Sequence, residues 1–254
     1  MRIIAVMNQK GGVGKTTTAV NLGHGLALQG KRVLAVDLDP QGHMTTSLRA
    51  AQSKINLDAV LHGDARISEA TMSVRQGLDL IAPGARLNEV DGLSSGGAAR
   101  GWLLRDVLRQ VSGYDFVIID CPPSSGLLGM NALLATEELL IPVSGDYLAL
   151  AGLSRLMSIL KTLEAKTERT TLKSILLTRF HKRRRHAQEV HKKIRDYFPG
   201  QLLQTCISEA VALAESPSFG KTIFEYKLGS GSAEEYQALT MDIINQQVPA
   251  NEKR

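Results

Sequence analysis

The chain has 254 residues, 43% of them apolar, with a formal charge of +5 and an isoelectric point near 9.2. That length and apolar share suffice for a sheet covered on both faces, while the basic balance permits a polyanionic partner without requiring one. Two cysteines, Cys121 and Cys206, stand far apart with no CxxC or His-rich spacing, which argues against a disulfide framework or a structural zinc site and suits a reducing cytosol.

The first apolar run, within "RIIAVMN" (2–8), is too short for a secretory leader and reads as a buried strand. A glycine-rich turn follows, then a helix over 15–29 that Gly30 stops. Further strands are predicted at 32–38, 78–83 and 114–120, with a helix over about 100–111 before the last of these. The second half alternates strands at 138–143, 174–178 and 202–207 with helices over about 150–166, about 186–198 and 232–247. Continuous apolar strands separated by helices predict an α/β fold with a mostly parallel twisted central sheet and helices on both faces. One domain is expected over 1–254, with 91–101 ("DGLSSGGAARG") a surface loop inside it and 248–254 a frayed tail. A first strand beginning at Arg2 leaves no place for an N-terminal helix-turn-helix, and no run approaches the roughly 20 apolar residues of a membrane span.

The stretch "NQKGGVGKTTT" (8–18) has the context in which a phosphate loop works, a strand before it and a helix after. Gly11, Gly12 and Gly14, with Val13 among them, let successive N–H groups turn toward phosphate oxygens, and the helix adds its positive end. Lys15 would reach the β- and γ-phosphates, Thr16 would ligate Mg²⁺, and Thr17 can bond the α-phosphate of ATP. The common spelling needs glycine at position 9, where this chain has Gln9, and it has no place for the extra Lys10. Three carboxylates end strands: Asp37 and Asp39 in "AVDLDPQG", and Asp120 in "VIIDCPPSSG". Strand ends of parallel sheets gather functional groups, so Asp120 could serve the Mg²⁺ shell and Asp39 could serve it or orient an attacking water. Aspartate is also common at strand ends and helix caps, and that plainer reading stands beside this one, most of all for Asp37.

"KGGVGKTTT", "VDLDPQG", "VIIDCPPS" and "ESPSFGKTIFEY" together resemble the ParA/Soj branch of the deviant-Walker ATPases, the group that also contains MinD. The resemblance covers essentially the whole chain. It implies an ATPase that binds ATP and Mg²⁺ and forms a homodimer face to face around two nucleotides. Lys10 would cross to the partner's nucleotide, Lys15 and Thr16 would act in cis, and Asp39 would assist water attack. It implies further that the ATP-bound dimer holds double-stranded DNA non-specifically, in the cytoplasm and on the nucleoid. A ParB-like or cargo-adaptor protein would stimulate slow hydrolysis, so that plasmids, chromosome origins or large protein cargo are positioned.

Between Arg179 and Arg195 lie eight basic side chains and one acid, Glu189. Ala187, Val190, Ile194 and Phe198 fall at helical spacing, which leaves Lys192, Lys193 and Arg195 toward solvent and Arg183, Arg184 and Arg185 at the helix start. With Arg179 and Lys182 these form a candidate DNA-binding patch, weakly sequence-dependent and steeply salt-dependent; an ordinary solvated basic face is the alternative. Where relatives commonly read "IPRNVRLAEAP", residues 207–217 read "ISEAVALAESP", with Glu209 and Ala212 in place of both arginines. Any DNA or adenine contact carried there in relatives is in doubt. A MinD-like membrane-surface ATPase is the competing reading. It needs a basic amphipathic C-terminal helix, whereas "MDIINQQVPANEKR" is short, polar and broken by Pro249, so no membrane partner is expected. Cys121 and Cys206 also match poorly the cluster-bridging arrangement of a nitrogenase-reductase type.

Overall fold

The computed structural model describes residues 1–51, 53–92, 98–124, 126–146, 148–181 and 183–246. Among them eight strands form one sheet: β1 (Arg2–Val6), β2 (Val33–Asp37), β3 (Thr71–Arg75), β4 (Leu78–Ile81), β5 (Phe116–Asp120), β6 (Glu138–Ser144), β7 (Leu172–Phe180) and β8 (Leu202–Ser208). Their order across the sheet is β3-β4-β2-β5-β1-β6-β7-β8. Every pairing is parallel except the edge pair β3 with β4. The helices in chain order are α1 (Lys15–Leu28), α2 (His43–Ser47), α3 (Leu57–His62), α4 (Ile67–Ala70), α5 (Leu87–Gly92), α6 (Leu103–Leu108), α7 (Leu127–Ala135), α8 (Leu148–Thr167), α9 (Arg185–Tyr197), α10 (Val211–Glu215), α11 (Ile223–Tyr226) and α12 (Gly231–Asn245).

Alternation along the strands builds two cores. In β1 and just beyond it, Ala5 and Met7 point to the face covered by α3, α6, α7, α8 and α9. Ile4 and Val6 point to the face covered by α1, α2, α11 and α12. β2, β5 and β6 are buried along their whole lengths, as strands covered on both sides must be. The parallel α/β architecture agrees with the sequence pattern, and the structure adds to it several short helices, α2, α3, α4, α5, α10 and α11, along with three larger refinements. β3 was not expected: its side chains are only partly buried, so no apolar run marks it. Nor was α7, "LLGMNALLA", whose nearly uniform apolarity hides any helical period because Leu128, Ala132 and Leu133 all face protein. The helix expected over 100–111 is a 3-10 turn, Ala98–Trp102, leading into the shorter α6. Positions 93–97 of the expected surface loop and the tail from 248 lie outside the described residues.

Candidate nucleotide-binding site

Residues 7–14 leave the C-terminal end of β1 and turn into α1. Gly12 at φ +72° and Gly14 at φ +84° make the turn, in the left-handed region that costs other residues roughly 1–2 kcal/mol. Gly14 is the N-cap of α1 and supplies no side-chain cap, and the first turn contains no acid. The free N–H groups of that turn and the positive end of the helix dipole are therefore available to an anion. They border a cleft of about 510 Å³ lined on one side by Gly12, Gly14, Lys15, Thr16, Thr17 and Asp39, and on the other by Ile207–Ala210 with Tyr236. The loop is stapled from behind, where Thr178 Oγ1 at the end of β7 donates to the Val13 carbonyl at 2.8 Å. Lys15 is buried, its Nζ 3.3 Å from the Lys10 carbonyl oxygen. Burial pulls its pKa down, opposed by Asp120, Cys121 and Asp39.

The three aspartates do gather at this end of the sheet, in different environments. Asp37 and Asp120 are register partners on β2 and β5. Asp37 Oδ2 accepts from the Thr45 N–H at 2.9 Å and its hydroxyl at 2.7 Å, which ties this carboxyl to α2. Burial nonetheless raises its pKa to about 6. Asp120 is fully buried and, among the described residues, neither carboxyl oxygen has a hydrogen-bond donor. Burial, and then Asp37, push its pKa well up. The Thr16 hydroxyl lies close enough to offset part of that shift without a hydrogen bond to either oxygen. A buried carboxyl with no donor is costly, and a hydrated divalent cation beside Thr16 would satisfy it. The donor set Thr16, Asp39 and Asp120 fits a Mg²⁺-class ion. Asp39 lines the cleft, its Oδ1 fixed by the Gln41 N–H at 3.0 Å in the turn that Gly42 closes.

Lys10 points elsewhere. It lines a second cavity of about 450 Å³ together with Gly11, and its Nζ lies 2.7 and 2.6 Å from the two carboxyl oxygens of Asp146. Asp146 also accepts from Ser144 Oγ at 2.7 Å. Gly12, Arg179 and Glu209 line both cavities and so stand between them.

Arg179 departs from the basic patch expected of it. β7 runs two residues further than its apolar core suggests and carries Arg179 to the cleft, where it pairs with Glu209 at 2.7 Å. The remaining cations are on or beside α9. Arg183, Arg184 and Arg185 are exposed at its N-terminus, Lys192, Lys193 and Arg195 are exposed along it, and Ala187, Val190 and Ile194 are buried beneath. Lys182 lies outside the described residues. The outer ridge is mixed in charge: Arg185 meets Glu189 at 3.2 Å, and Arg195 lies 3.9 Å from Asp196. Sequence reasoning missed Asp146, Thr178, Arg179 and Glu209 as neighbours of the loop. The strand-end rule that singled out the aspartates applies to each of them, since they close or follow β6, β7 and β8. Cys121 is buried, with its thiol pKa pushed up by burial and by Asp120, as a core residue. Among the described residues no helix is long and apolar enough to cross a membrane.

Residues 1–174 match a family model described as an AAA domain. The chain is similar to the chromosome partitioning protein ParA of Caulobacter vibrioides, 35% identical over 254 residues that cover 97% of this chain and 95% of that protein. The sporulation initiation inhibitor protein Soj of Bacillus subtilis is 38% identical over 252 residues, 95% of this chain and 98% of its own. A Mycobacterium smegmatis structure named cobyrinic acid a,c-diamide synthase, with bound ADP and magnesium, superposes with a TM-score of 0.82 at 30% identity, covering 96% of this chain and 94% of that one. The phosphate loop with its second lysine, the parallel sheet and this near full-length similarity establish that the chain belongs to the ParA/Soj family of deviant-Walker P-loop ATPases.

Proposed function

We propose that the chain binds ATP with Mg²⁺ in the 510 Å³ cleft, pairs with a second copy across the Lys10 face, and hydrolyses ATP slowly under the stimulus of a partner protein. The observation that carries this reading is the divergence of the loop's two lysines: Lys15 lines the cleft and Lys10 lines the neighbouring cavity. On this reading Lys15 serves the chain's own phosphates, and Lys10 leaves Asp146 to serve the nucleotide held by the second copy.

Within the cleft the N–H groups of Gly11 to Gly14 cradle the phosphates, Lys15 binds the β- and γ-phosphate oxygens, and Thr17 hydrogen-bonds the α-phosphate. Thr16, Asp39 and Asp120 would hold the Mg²⁺, which when bound would neutralise charge on the phosphate oxygens. Asp39 orients or deprotonates the attacking water. Double-stranded DNA is held without base reading by Arg183, Arg184, Arg185, Lys192, Lys193 and Arg195, whose helix starts beside the Lys10 cavity that Arg184 lines. Dimerisation and DNA retention are thereby coupled, the ATP-bound form is nucleoid-associated, and a ParB-like or cargo-adaptor protein resets it. The name of the similar Caulobacter vibrioides protein supports chromosome partitioning as the task. Lys10→Ala should keep wild-type affinity for a fluorescent ATP analogue yet sediment as a monomer with ATP and Mg²⁺. Dimerisation at the wild-type concentration would refute the assignment.

A further inference from the structure

Arg179 is held in left-handed backbone at φ +50°, a conformation that costs a non-glycine residue about 1–3 kcal/mol and clusters at ligand clamps. Its neighbours enforce it: Thr178 is bonded to the phosphate loop, and Phe180 is buried in the core. The guanidinium is thereby carried over the loop, with Nη1 3.4 Å from the Gly12 carbonyl oxygen. Its donors are meanwhile engaged by Glu209, whose Oε1 accepts from Nη2 at 2.7 Å and Nε at 3.1 Å. Glu209 Oε2 lies 2.8 Å from His181 Nε2, and both partners hold the Glu209 carboxyl below the usual range.

This pair is a poor candidate for a structural staple. The Arg179 side chain is 57% exposed and that of Glu209 42%, and ion pairs so exposed contribute only about 0–1 kcal/mol. It is well placed for another role, because both residues line the nucleotide cleft. A polyphosphate entering there attracts the guanidinium, which binds phosphate through parallel N–H donors, and repels the carboxylate.

We propose that Arg179 is a second phosphate-binding side chain of the cleft, exchanged from Glu209 to the nucleotide's polyphosphate on binding, and that Glu209 is the competing anion that keeps this binding weak. The proposal rests on reading the cleft as an ATP site. Arg179 then tunes nucleotide release and takes no part in the DNA surface.

Calorimetric titration of the full chain with ATP, ADP and AMP, each with Mg²⁺, tests it. Arg179→Gln should weaken ATP and ADP about five- to tenfold, the effect of one charge-assisted hydrogen bond near solvent, and AMP much less. Arg179→Lys should recover part of the loss, keeping the charge without the planar fork. Glu209→Gln should act in the opposite direction and tighten ATP. Unchanged ATP affinity in Arg179→Gln overturns the proposal. So does weakening by both Gln substitutions, the signature of a pair that only shapes the loop. Equal losses for AMP and ATP would place the arginine on ribose or base, and also overturn it. Melting temperatures identify any variant that fails to fold, and the sign of the effect in Glu209→Gln then decides. A wild-type chain with no ATP affinity would remove the nucleotide reading as well, whereas variants matching an ATP-binding wild type remove this inference alone.

Discussion

Asp37 and Asp120 show how little a residue's letter says about its state. Both end a strand and both are buried, but Asp37 has two donors from Thr45 while Asp120 has none among the described residues. Asp120 therefore carries the larger burden. A folded-state pKa above the ordinary 3.8 means that the charged form is penalised in the fold at all higher pH. Asp120→Asn should raise the stability of the nucleotide-free protein near neutral pH, because it removes the penalised charge. The same variant should lose the extra stabilisation that ATP gains from Mg²⁺. Urea unfolding with and without ATP and Mg²⁺ reads both effects, and a variant less stable than wild type without ligand would show that Asp120 is already satisfied. At this scale the sequence named the loop and the three aspartates because strand ends in a parallel sheet converge. It could not tell Asp37 from Asp120, because the difference lies in Thr45, eight residues beyond Asp37 on a helix too short to announce itself.

The element that links the loop to the rest of the fold is α1. Along its second half it lies against α11 and α12 so closely that a Cβ on Gly25 would sit 2.3 Å from Thr240 Oγ1, a hydroxyl already donated to the Tyr236 carbonyl at 2.8 Å. Overpacking of this kind costs about 1–3 kcal/mol, more than the roughly 1 kcal/mol that alanine adds in helix propensity. Gly25→Ala should therefore be destabilising, and adding Thr240→Ala should return much of the loss. A double-mutant cycle in urea with additive effects would place the contact elsewhere. At the preceding residue, His24 Nδ1 lies 2.7 Å from Thr222 Oγ1. Its pKa is lowered by burial, against Glu225 and with Arg75. A histidine held neutral in the fold gives its full stabilisation above its ordinary 6.5, and loses it as the unfolded chain takes up a proton below that pH. Melting temperatures should fall from pH 7.5 to 5.5 by less in His24→Gln than in wild type. Strands were legible because those buried on both faces are continuous apolar runs. α7 was not, because a helix buried on nearly every side has the same appearance, and β3 was not because its pairing with β4 leaves it half exposed.

Across the whole molecule the cations of α9 lie on the face opposite α1, near the Lys10 cavity. Acidic neighbours partly neutralise Arg185 and Arg195, so the patch is weaker than the run of letters suggests. Retention on non-specific DNA with ATP should fall with salt with a log–log slope of roughly −4 to −5 per protomer, at about −0.9 for each phosphate neutralised. Replacing Arg183, Arg184 and Arg185 by glutamine should reduce that slope by about 2–3; an unchanged slope would move the DNA surface elsewhere. The charge excess was visible in the sequence. The pairing of Arg179 with Glu209, which takes one cation out of the patch, was not, since 30 positions separate the two and only the sheet brings them together. The same sheet order has a consequence for the chain's birth. β1 carries the phosphate loop and is translated first, but its hydrogen-bonding neighbours are β5 and β6, which begin only at Phe116 and Glu138. At about 5–20 residues per second a ribosome needs roughly 5–20 s to deliver the first of them, and until then the emerging polypeptide has a nucleotide loop with nothing to hold it in shape. A chain truncated before β5 should therefore fail to bind a fluorescent ATP analogue that the full chain binds.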